Sequence, residues 1–203
     1  MLTHSKGGLH PGRPGVYNRR MELTIRRHSP EIEADFFRLH SRENDHDWCF
    51  CAPWHLDDWC DFEKRSAREN RVVRERVHAA GGHDGYILYA DGEPAAWAQV
   101  FERDSLPLVA RTFGLKPDPG AWALGCFFVP PRHRGKGLNR KMLDLILADL
   151  KQRGAERVEA YPRRGESLDV LDLWRGAEGM FQKAGFRVVR EAERWAVMVR
   201  ELN

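Results

Sequence analysis

Residues 126–150 read CFFVPPRHRGKGLNRKMLDLILADL, and this stretch decides the fold. Its first residues, Cys126–Val129, are apolar and aromatic and predict a buried strand, which ends at Pro130 because proline cannot donate to a sheet ladder. From Leu138 onward apolar residues recur with helical spacing, which predicts an amphipathic helix. Between the strand and the helix lies the basic sequence RHRGKG, residues 132–137.

The loop 132–137 is suited to binding an anion. Gly135 and Gly137 allow close approach of the backbone and dihedral angles that other residues avoid. The unpaired N–H groups of the first helical turn point outward with the positive end of the helix dipole. Three side chains add positive charge: Arg132, Arg134 and Lys136. A basic turn that caps a surface helix is the alternative interpretation of the same residues.

Two well-known phosphate-binding motifs do not fit this loop. A Walker A loop needs glycine where Pro130 stands, and Ser or Thr where Gly137 stands. A dinucleotide-binding fingerprint needs G-x-G-x-x-G, which the chain lacks, and an acidic ribose partner at the right spacing. The residues instead match R-x-x-G-x-G between a strand and a helix.

Length and composition favour one soluble α/β domain. The 203 residues allow a sizeable core, and a formal net charge of +3 with mixed charges gives no indication of a nucleic-acid partner. No apolar run approaches transmembrane length and the N-terminus lacks a signal-peptide core, so we expect a cytoplasmic protein. Residues 1–20 are expected to be a disordered extension or an artefact of start-site choice, with Met21 as the true start and 21–203 as the single domain.

Turn, cap and alternation signals predict the remaining elements. Asp91-Gly92 is a strong hairpin signal, and a helix is expected to begin at Asp57 or Asp58 and to end at Gly81-Gly82. A less regular stretch is expected between residues 102 and 121. The other expected helices are one capped by Ser29 and reaching about His40, one from Leu138 to Gly154, and Trp174–Ala184. The expected strands are Glu22–Arg27, Gly85–Ala90, Glu93–Glu102, Ala121–Val129, Arg157–Tyr161, Phe186–Arg190 and Arg194–Arg200.

Residues 44–60, NDHDWCFCAPWHLDDWC, hold three of the seven tryptophans and three of the four cysteines. Five residues offer themselves as zinc ligands: His46, Cys49, Cys51, His55 and Cys60. Their spacing is irregular, and Cys-x-Cys is not the usual zinc knuckle. A disulfide is disfavoured because cytoplasmic thiols stay reduced. We expect no metal here, and expect the aromatic side chains and thiols to line a pocket or pack in a core.

The strand, R-x-x-G-x-G loop and helix together resemble the pyrophosphate-binding motif of the GNAT acyltransferase superfamily, which binds acyl-coenzyme A. The expected order β-α-α-β-β-β-α-β-α-β-β over residues 22–200 is that of the GNAT fold. Glu159–Pro162 (EAYP) and Met180–Phe186 (MFQKAGF) also resemble the family. The Trp-Cys-x-Cys segment and DGEPAAW at 91–97 resemble a branch of bacterial GNAT proteins. The resemblance implies an α/β (α+β) fold, with a mixed central sheet splayed at the acyl-CoA site and flanking helices.

The resemblance also implies a site for acetyl-CoA as co-substrate. The backbone of Phe127 and Val129 would pair with the pantetheine arm, and an amide near Phe128 would polarise the thioester carbonyl. The pyrophosphate would bind backbone N–H groups of four residues: Arg134, Gly135, Gly137 and Leu138. Charge would come from Arg132, Arg134 and Lys136.

The implied reaction is direct attack of an amine on the acetyl thioester. It requires in-line binding, loss of a proton from the amine and protonation of the leaving thiolate, and no metal.

Many family members place a tyrosine four residues before the glycine of the last helix–strand junction as the general acid. Phe181 stands at that position, so Tyr161 is the candidate acid, although a tyrosine that only packs its ring is an equal alternative. Glu102 is the candidate base, with a water chain as the alternative to a side chain. Asp104, Cys126 and His46 are further candidates for the base.

The acceptor is open at this stage. Trp48, Trp54 and Trp97 with Asp45 and Asp47 would suit a cationic or ring-bearing amine, or would be ordinary core and surface residues. Three functions follow: an N-acetyltransferase of a small-molecule amine, a protein N-acetyltransferase, and a non-catalytic acyl-CoA-binding regulatory module. A homodimer through the C-terminal strands is a further possibility that the resemblance raises.

Overall fold

A computed structural model describes residues 21–60, 62–169 and 172–202, so the extension expected over 1–20 lies outside the described residues. The strands are β1 (Leu23–Arg27), β2 (Gly85–Ala90), β3 (Glu93–Glu102), β4 (Ala121–Phe128), β5 (Arg157–Ala160), β6 (Arg187–Ala192) and β7 (Trp195–Glu201). The α-helices are α1 (Glu33–Leu39), α2 (Ala67–Ala79), α3 (Pro107–Phe113), α4 (Leu138–Gln152) and α5 (Glu178–Lys183). No helix in the described ranges is long and apolar enough to cross a membrane.

The seven strands form one mixed sheet in the order β1-β2-β3-β4-β5-β7-β6. β4 pairs antiparallel with β3 along its length, from Trp122 opposite Glu102 to Phe128 opposite Trp97. Its parallel pairing with β5 ends at Leu124, although β4 continues to Phe128. Beyond Leu124 the edge of β4 that faces away from β3 therefore has no strand partner in the described part of the chain. The predicted fold, a mixed sheet that parts beside this strand, is confirmed.

The two faces of the sheet are covered by different elements. On one face Leu143 and Ile146 of α4 pack on Leu124 and Val158, and all four are fully buried. On the other face α1 and the segment 44–60 (hereafter the Trp/Cys segment) cover β3 and β4. Burial of one large apolar side chain contributes about 1.5–3 kcal/mol to the free energy of folding. The apolar contacts on both faces therefore stabilise the sheet.

The elements with strong local signals lie where the sequence predicts them. Asp91 (φ 51°) and Gly92 (φ 84°) form the tight turn between β2 and β3, whose bounds match the prediction. α4 starts at Leu138, and Gly154 at φ 79° follows its end. Ser29 does precede a 3₁₀ turn that leads into α1, but its side chain makes no cap hydrogen bond.

Two helix predictions were wrong in their bounds, and one helix was not predicted. α2 begins at Ala67 rather than near Asp57, because Ser66 and Glu69 form a reciprocal capping box. α3 lies in a stretch expected to be irregular, and Gly114 (φ 57°) ends it. The expected helix 174–184 is divided at Gly176 (φ 86°) into a 3₁₀ turn, Asp172–Arg175, and α5.

A buried charge network ties the second face together at Asp84. Arg74 Nη1 of α2 lies 2.6 Å from Asp84 Oδ1, and its side chain is fully buried. His55 Nε2 lies 2.9 Å and Gln99 Nε2 2.6 Å from Asp84 Oδ2. Burial opposes ionisation of Asp84, but Arg74 and the His55 hydrogen bond outweigh it and hold the pKa of this carboxyl well below its usual value. One carboxylate therefore joins α2, the Trp/Cys segment, β2 and β3.

Replacement of Asp84 by Asn should destabilise the protein strongly. It leaves the buried Arg74 guanidinium without a counter-charge, which costs about 3–5 kcal/mol in comparable cases. The free energy of unfolding from urea titration is the measurement. Glu75→Gln is the matched control, because the Arg71–Glu75 pair, at 2.8 Å, lies on the surface with both side chains about half exposed. Equal losses in the two variants would contradict the importance of the network.

Three histidines pack against one another beside this network. The ring of His28 lies 4.6 Å from that of His78 and 5.0 Å from that of His83, between centroids. Burial, followed by the charges of neighbouring groups, lowers the pKa of His28 to about 3 and that of His78 to about 4. The rings of His28 and His78 are therefore neutral in the folded protein at neutral pH.

Stability should consequently fall on acidification below about pH 6.5, where the unfolded chain binds protons that the folded protein cannot. Each such histidine contributes a slope of at most about 1.4 kcal/mol per pH unit until its folded pKa is reached. His28→Phe keeps an aromatic ring and removes one titration, so its free energy of unfolding should fall less between pH 6.5 and 5 than that of the wild type. Identical slopes for the two proteins would show that His28 does not contribute.

Candidate functional site

The candidate site begins where β4 and β5 part, at a bulge in β4. The register with β3 passes from Gln99–Cys126 to Val100–Leu124, so Gly125 is the extra residue. A β carbon at Gly125 would lie 2.8 Å from the ring of Phe101 and 3.1 Å from the side chain of Gln99. Only glycine fits there, and bulges of this kind are frequent beside active sites.

The Trp/Cys segment covers this bulge. Trp54, almost fully buried, donates its indole N–H to the carbonyl oxygen of Gly125 at 3.3 Å. The next residue, His55, is bound to Asp84, which fixes the turn that carries Trp54. His46 stacks on Phe128, with ring centroids 3.8 Å apart and planes 11° apart. Phe50, Cys51 and Trp54 of this segment pack in a core as expected, whereas Trp48 and Cys60 are exposed.

The four cysteines are all free thiols, and two of them, Cys51 and Cys126, are buried. Cys51 Sγ lies 3.4 Å from His40 Nε2, and burial raises the pKa of this thiol well above its usual value. His46 Nε2 lies 3.4 Å from Cys49 Sγ. In the ranges that the structure describes, no group of three or more His, Cys, Asp or Glu side chains is arranged to hold a metal ion. The possible zinc ligands do not gather, since His55 is engaged by Asp84 and Cys60 is exposed.

The loop that follows β4 is open to a ligand. Gly135 (φ 73°) and Gly137 (φ 70°) are both in the left-handed region, and a β carbon at either would meet no atom within 4 Å. Gly137 is the N-cap of α4 and has no side chain to accept from the first turn. The first helical hydrogen bond runs from the N–H of Lys141, so the preceding N–H groups point toward the loop unpaired within the helix.

The cations of the loop lie free of carboxylates. Arg134 Nε donates to the carbonyl oxygen of Val129 at 3.1 Å, and Arg132 donates to the side-chain oxygen of Asn44. Neither arginine, nor the exposed Lys136, takes part in an ion pair among the described residues. Burial, followed by the charges of Arg132 and Lys136, lowers the pKa of His133. Helix terminus and side chains together make a positive site at the end of β4.

Tyr161, the predicted acid, is fully buried just after β5. Its hydroxyl donates to Glu159 Oε2 at 2.7 Å, and its ring stacks on Phe113 with centroids 4.3 Å apart. Arg103 Nη1 lies 3.7 Å from the same carboxylate oxygen. Burial, followed by the charge of Glu159, raises the pKa of Tyr161 well above its usual value. The hydroxyl is therefore neutral and already engaged.

Glu102, the predicted base, lies at the end of β3 remote from Phe128. It is exposed and sits opposite Trp122, before β4 and β5 part. Asp104 pairs with Arg103 at 2.8 Å and accepts the N–H of Asp118 at 2.6 Å. The register therefore keeps these carboxylates away from the unpaired part of β4. Cys126 belongs to that part of β4, and His46 lies there because its ring stacks on Phe128.

The aromatic residues considered for the acceptor do not surround one pocket. Trp97 is fully buried, and Trp48 is 40% exposed and donates to the carbonyl oxygen of Arg65. Asp47 is paired with Arg42 at 2.8 Å. Of the three tryptophans, only Trp54 lies at the bulge.

Sequence reasoning missed two residues beside Trp54. The 3₁₀ turn Asp172–Arg175 lies against β4, and the ring of Trp174 packs 5.9 Å from that of Trp54, between centroids. Arg175 follows, with its guanidinium carbon 5.4 Å from the Trp174 ring centroid. Gly176 was the available signal, because a glycine at positive φ ends such a turn.

Comparisons with known proteins give one matching family model and a set of solved structures that share the fold. The model of the GNAT acetyltransferase family matches residues 34–186, and a search of curated proteins gave no match. An N-acetyltransferase from Staphylococcus aureus Mu50 is 14% identical, with a TM-score of 0.52 over 90% of this chain and 99% of that one. The ribosomal-protein-S18-alanine N-acetyltransferase from Escherichia coli is 13% identical, with a TM-score of 0.51 over 90% and 95%. The PaiA N-acetyltransferase from Thermoplasma acidophilum, in complex with coenzyme A, is 14% identical, with a TM-score of 0.52 over 89% and 99%. At these identities the solved structures show a shared fold.

Proposed function

The chain belongs to the GNAT acetyltransferase family and is an acyltransferase, and we propose that it transfers the acetyl group of acetyl-CoA to an amine of a small molecule. One observation carries this proposal. The unpaired edge of β4 runs directly into an open, cationic glycine loop at the N-terminus of α4. An extended arm that ends in a pyrophosphate matches that surface from end to end.

Coenzyme binding follows from the residues along this path. The pantetheine arm would lie beside β4 as an added strand, with hydrogen bonds to the backbone of Phe127 and Val129. The pyrophosphate would bind the N–H groups of Arg134, Gly135, Gly137 and Leu138, with charge from Arg132, Arg134 and Lys136. That these cations lack carboxylate partners supports the assignment, because their charge is available to phosphate.

The reaction is attack of the neutral amine nitrogen on the thioester carbonyl carbon. An amide near Phe128 would hold the carbonyl oxygen, the C–S bond breaks, and the coenzyme leaves as a thiolate that takes up a proton. Tyr161 stays our candidate for that proton transfer. For removal of the amine proton, the position of His46 against Phe128 favours this histidine over Glu102, which stays the alternative.

The cover over the bulge favours a small acceptor over a protein. Trp54, Cys51 and Ala52 are buried on the face of β4 where a peptide would need an open groove. The alternative is N-acetylation of a protein. The Escherichia coli structure compared above is named for that activity. A non-catalytic acyl-CoA-binding module is a further alternative, since Phe181 replaces the family's usual tyrosine. The single domain 21–203, the cytoplasmic location and a homodimer stay predictions.

Acetyl-CoA should bind the purified protein in calorimetric titration, and Gly135→Glu should abolish that binding. The new carboxylate would lie in the anion site and repel the pyrophosphate. Gly154→Glu is the matched control: Gly154 has a similar φ (79° against 73°), open space around its β position, and lies at the opposite end of α4. Both variants carry the same backbone strain, so only the change in affinity separates them.

Normal binding by Gly135→Glu would refute the loop assignment. Loss of binding in both variants would point to damage to α4 rather than to the site. Dephospho-CoA and pantetheine, titrated in parallel, show whether affinity depends on the phosphates as a site at 132–137 requires.

His46→Gln should reduce kcat at neutral pH by about 100-fold or more, the usual contribution of a general base. Glu102→Gln is the matched comparison, since it removes a carboxylate at the other end of β3. The pH profile of kcat, followed by release of free thiol, is the measurement, and the His46 variant should lose the limb that reports the base. A larger loss in Glu102→Gln would return the role to the carboxylate.

A further inference from the structure

The turn Asp172–Arg175 brings beside the candidate site a guanidinium that has no anionic partner among the described residues. Arg175 lies over two aromatic rings, 5.4 Å from the centroid of Trp174 and 5.6 Å from that of Phe113. Phe113 in turn stacks on Tyr161, and Trp174 packs against Trp54. Arg175 therefore lies one layer away from both the bulge and the end of β5.

The carboxylates of the turn that carries Arg175 are engaged by other groups. Asp172 is paired with Arg163 at 2.8 Å, and Asp169 Oδ1 accepts the N–H of Asp172 at 3.0 Å. Arg175 forms no ion pair in the part of the chain that the structure describes, and its buried Nε has no hydrogen-bond partner there.

Arg175 is half-buried, and a guanidinium with a buried, unpaired Nε is costly because this side chain keeps its proton at any physiological pH. Burial, followed by the charge of Arg163, lowers the pKa of Arg175 to about 10. An anion delivered by a ligand would reduce that cost, since a guanidinium can make a bidentate contact with a carboxylate.

We propose that the acceptor amine also carries a carboxylate, as an amino acid does, and that Arg175 binds this carboxylate while the amine faces the thioester. The proposal rests on the proposed function and names its substrate class. The coenzyme's phosphates are assigned to the loop 132–137 beyond Phe128, whereas Arg175 packs on Phe113, whose ring separates it from Tyr161 at the end of β5. An amine-proximal carboxylate is the anion that remains for it.

The test compares the twenty standard amino acids with their decarboxylated amines, for example L-phenylalanine with phenethylamine, as acceptors for the full chain. The wild type should favour at least one acid over its amine by about 10- to 100-fold in kcat/KM, the worth of one charge-assisted contact. Arg175→Gln should raise the KM of that acid by a similar factor and leave the amine, and the Kd of acetyl-CoA, unchanged.

Arg164→Gln is the matched control, because Arg164 already pairs with Glu178 and Glu191 and should leave the preference intact. The midpoint of thermal unfolding should not fall in Arg175→Gln, since no ion pair is lost. A purely structural role for Arg175 would lower this midpoint and leave the preference for the acid unchanged.

Several results would overturn the proposal. They are acetylation of no acid in the panel, equal use of acid and amine, or an unchanged preference in Arg175→Gln. Weaker binding of acetyl-CoA by this variant would assign Arg175 to the coenzyme and would also overturn it. Failure of the wild type to bind acetyl-CoA is a different result, because it refutes the proposed function itself.

Discussion

The face of the sheet that carries the candidate site depends on one carboxylate, that of Asp84. Its oxygens are bound by three side chains from three elements, and the one from the Trp/Cys segment belongs to His55. His55 is the neighbour of Trp54, whose indole holds the carbonyl oxygen of Gly125. A buried charge that is separated from the bulge by the side chain of Gln99 thus holds the cover in place. Because Arg74 is fully buried, the cover cannot shift without exposing or orphaning a charge, which makes its position definite.

β4 meets two different demands at once. Its antiparallel pairing with β3 continues across the bulge to Phe128, while its parallel partner β5 stops opposite Leu124. The free edge and the loop beyond it are polar and positive, and the covered face is aromatic and carries buried thiols such as that of Cys126. An amine must lose its proton before it can attack a thioester, and an apolar wall favours the neutral amine because burial disfavours the charged form. The division of charge between edge and face therefore matches what acetyl transfer needs.

The sequence predicted what local signals determine and missed what depends on distant partners. The strand–loop–helix at 126–150 was readable because alternation, paired prolines and helical periodicity all lie within one stretch. The start of α2 was missed because Asp57 and Ser66 offer equally good caps, and only the reciprocal bond with Glu69 decides between them. The position of Glu102 was missed for a different reason. Whether the end of β3 lies beside the unpaired part of β4 depends on the register between the two strands, which no local sequence pattern encodes. The unpaired state of Arg175 depends in the same way on which guanidinium takes Asp172.

The absence of the family's usual tyrosine has a structural counterpart. Phe181 is fully buried on the α4 face of the sheet, where it packs against Phe127 and Phe186. Tyr161 lies on the opposite face, so a proton donor there would approach the leaving thiolate from the acceptor side rather than from beneath α5. The Tyr161 hydroxyl donates its hydrogen bond to Glu159. If the hydroxyl gave its proton to a thiolate, the Glu159 carboxylate would lose this donor and would need another. Arg103 and Arg157 already lie 3.7 Å from the carboxylate oxygens, close enough to stabilise Glu159 when the hydroxyl turns away. If Tyr161 is the acid, as proposed, the residues that keep it packed would also stabilise Glu159 once the proton has left.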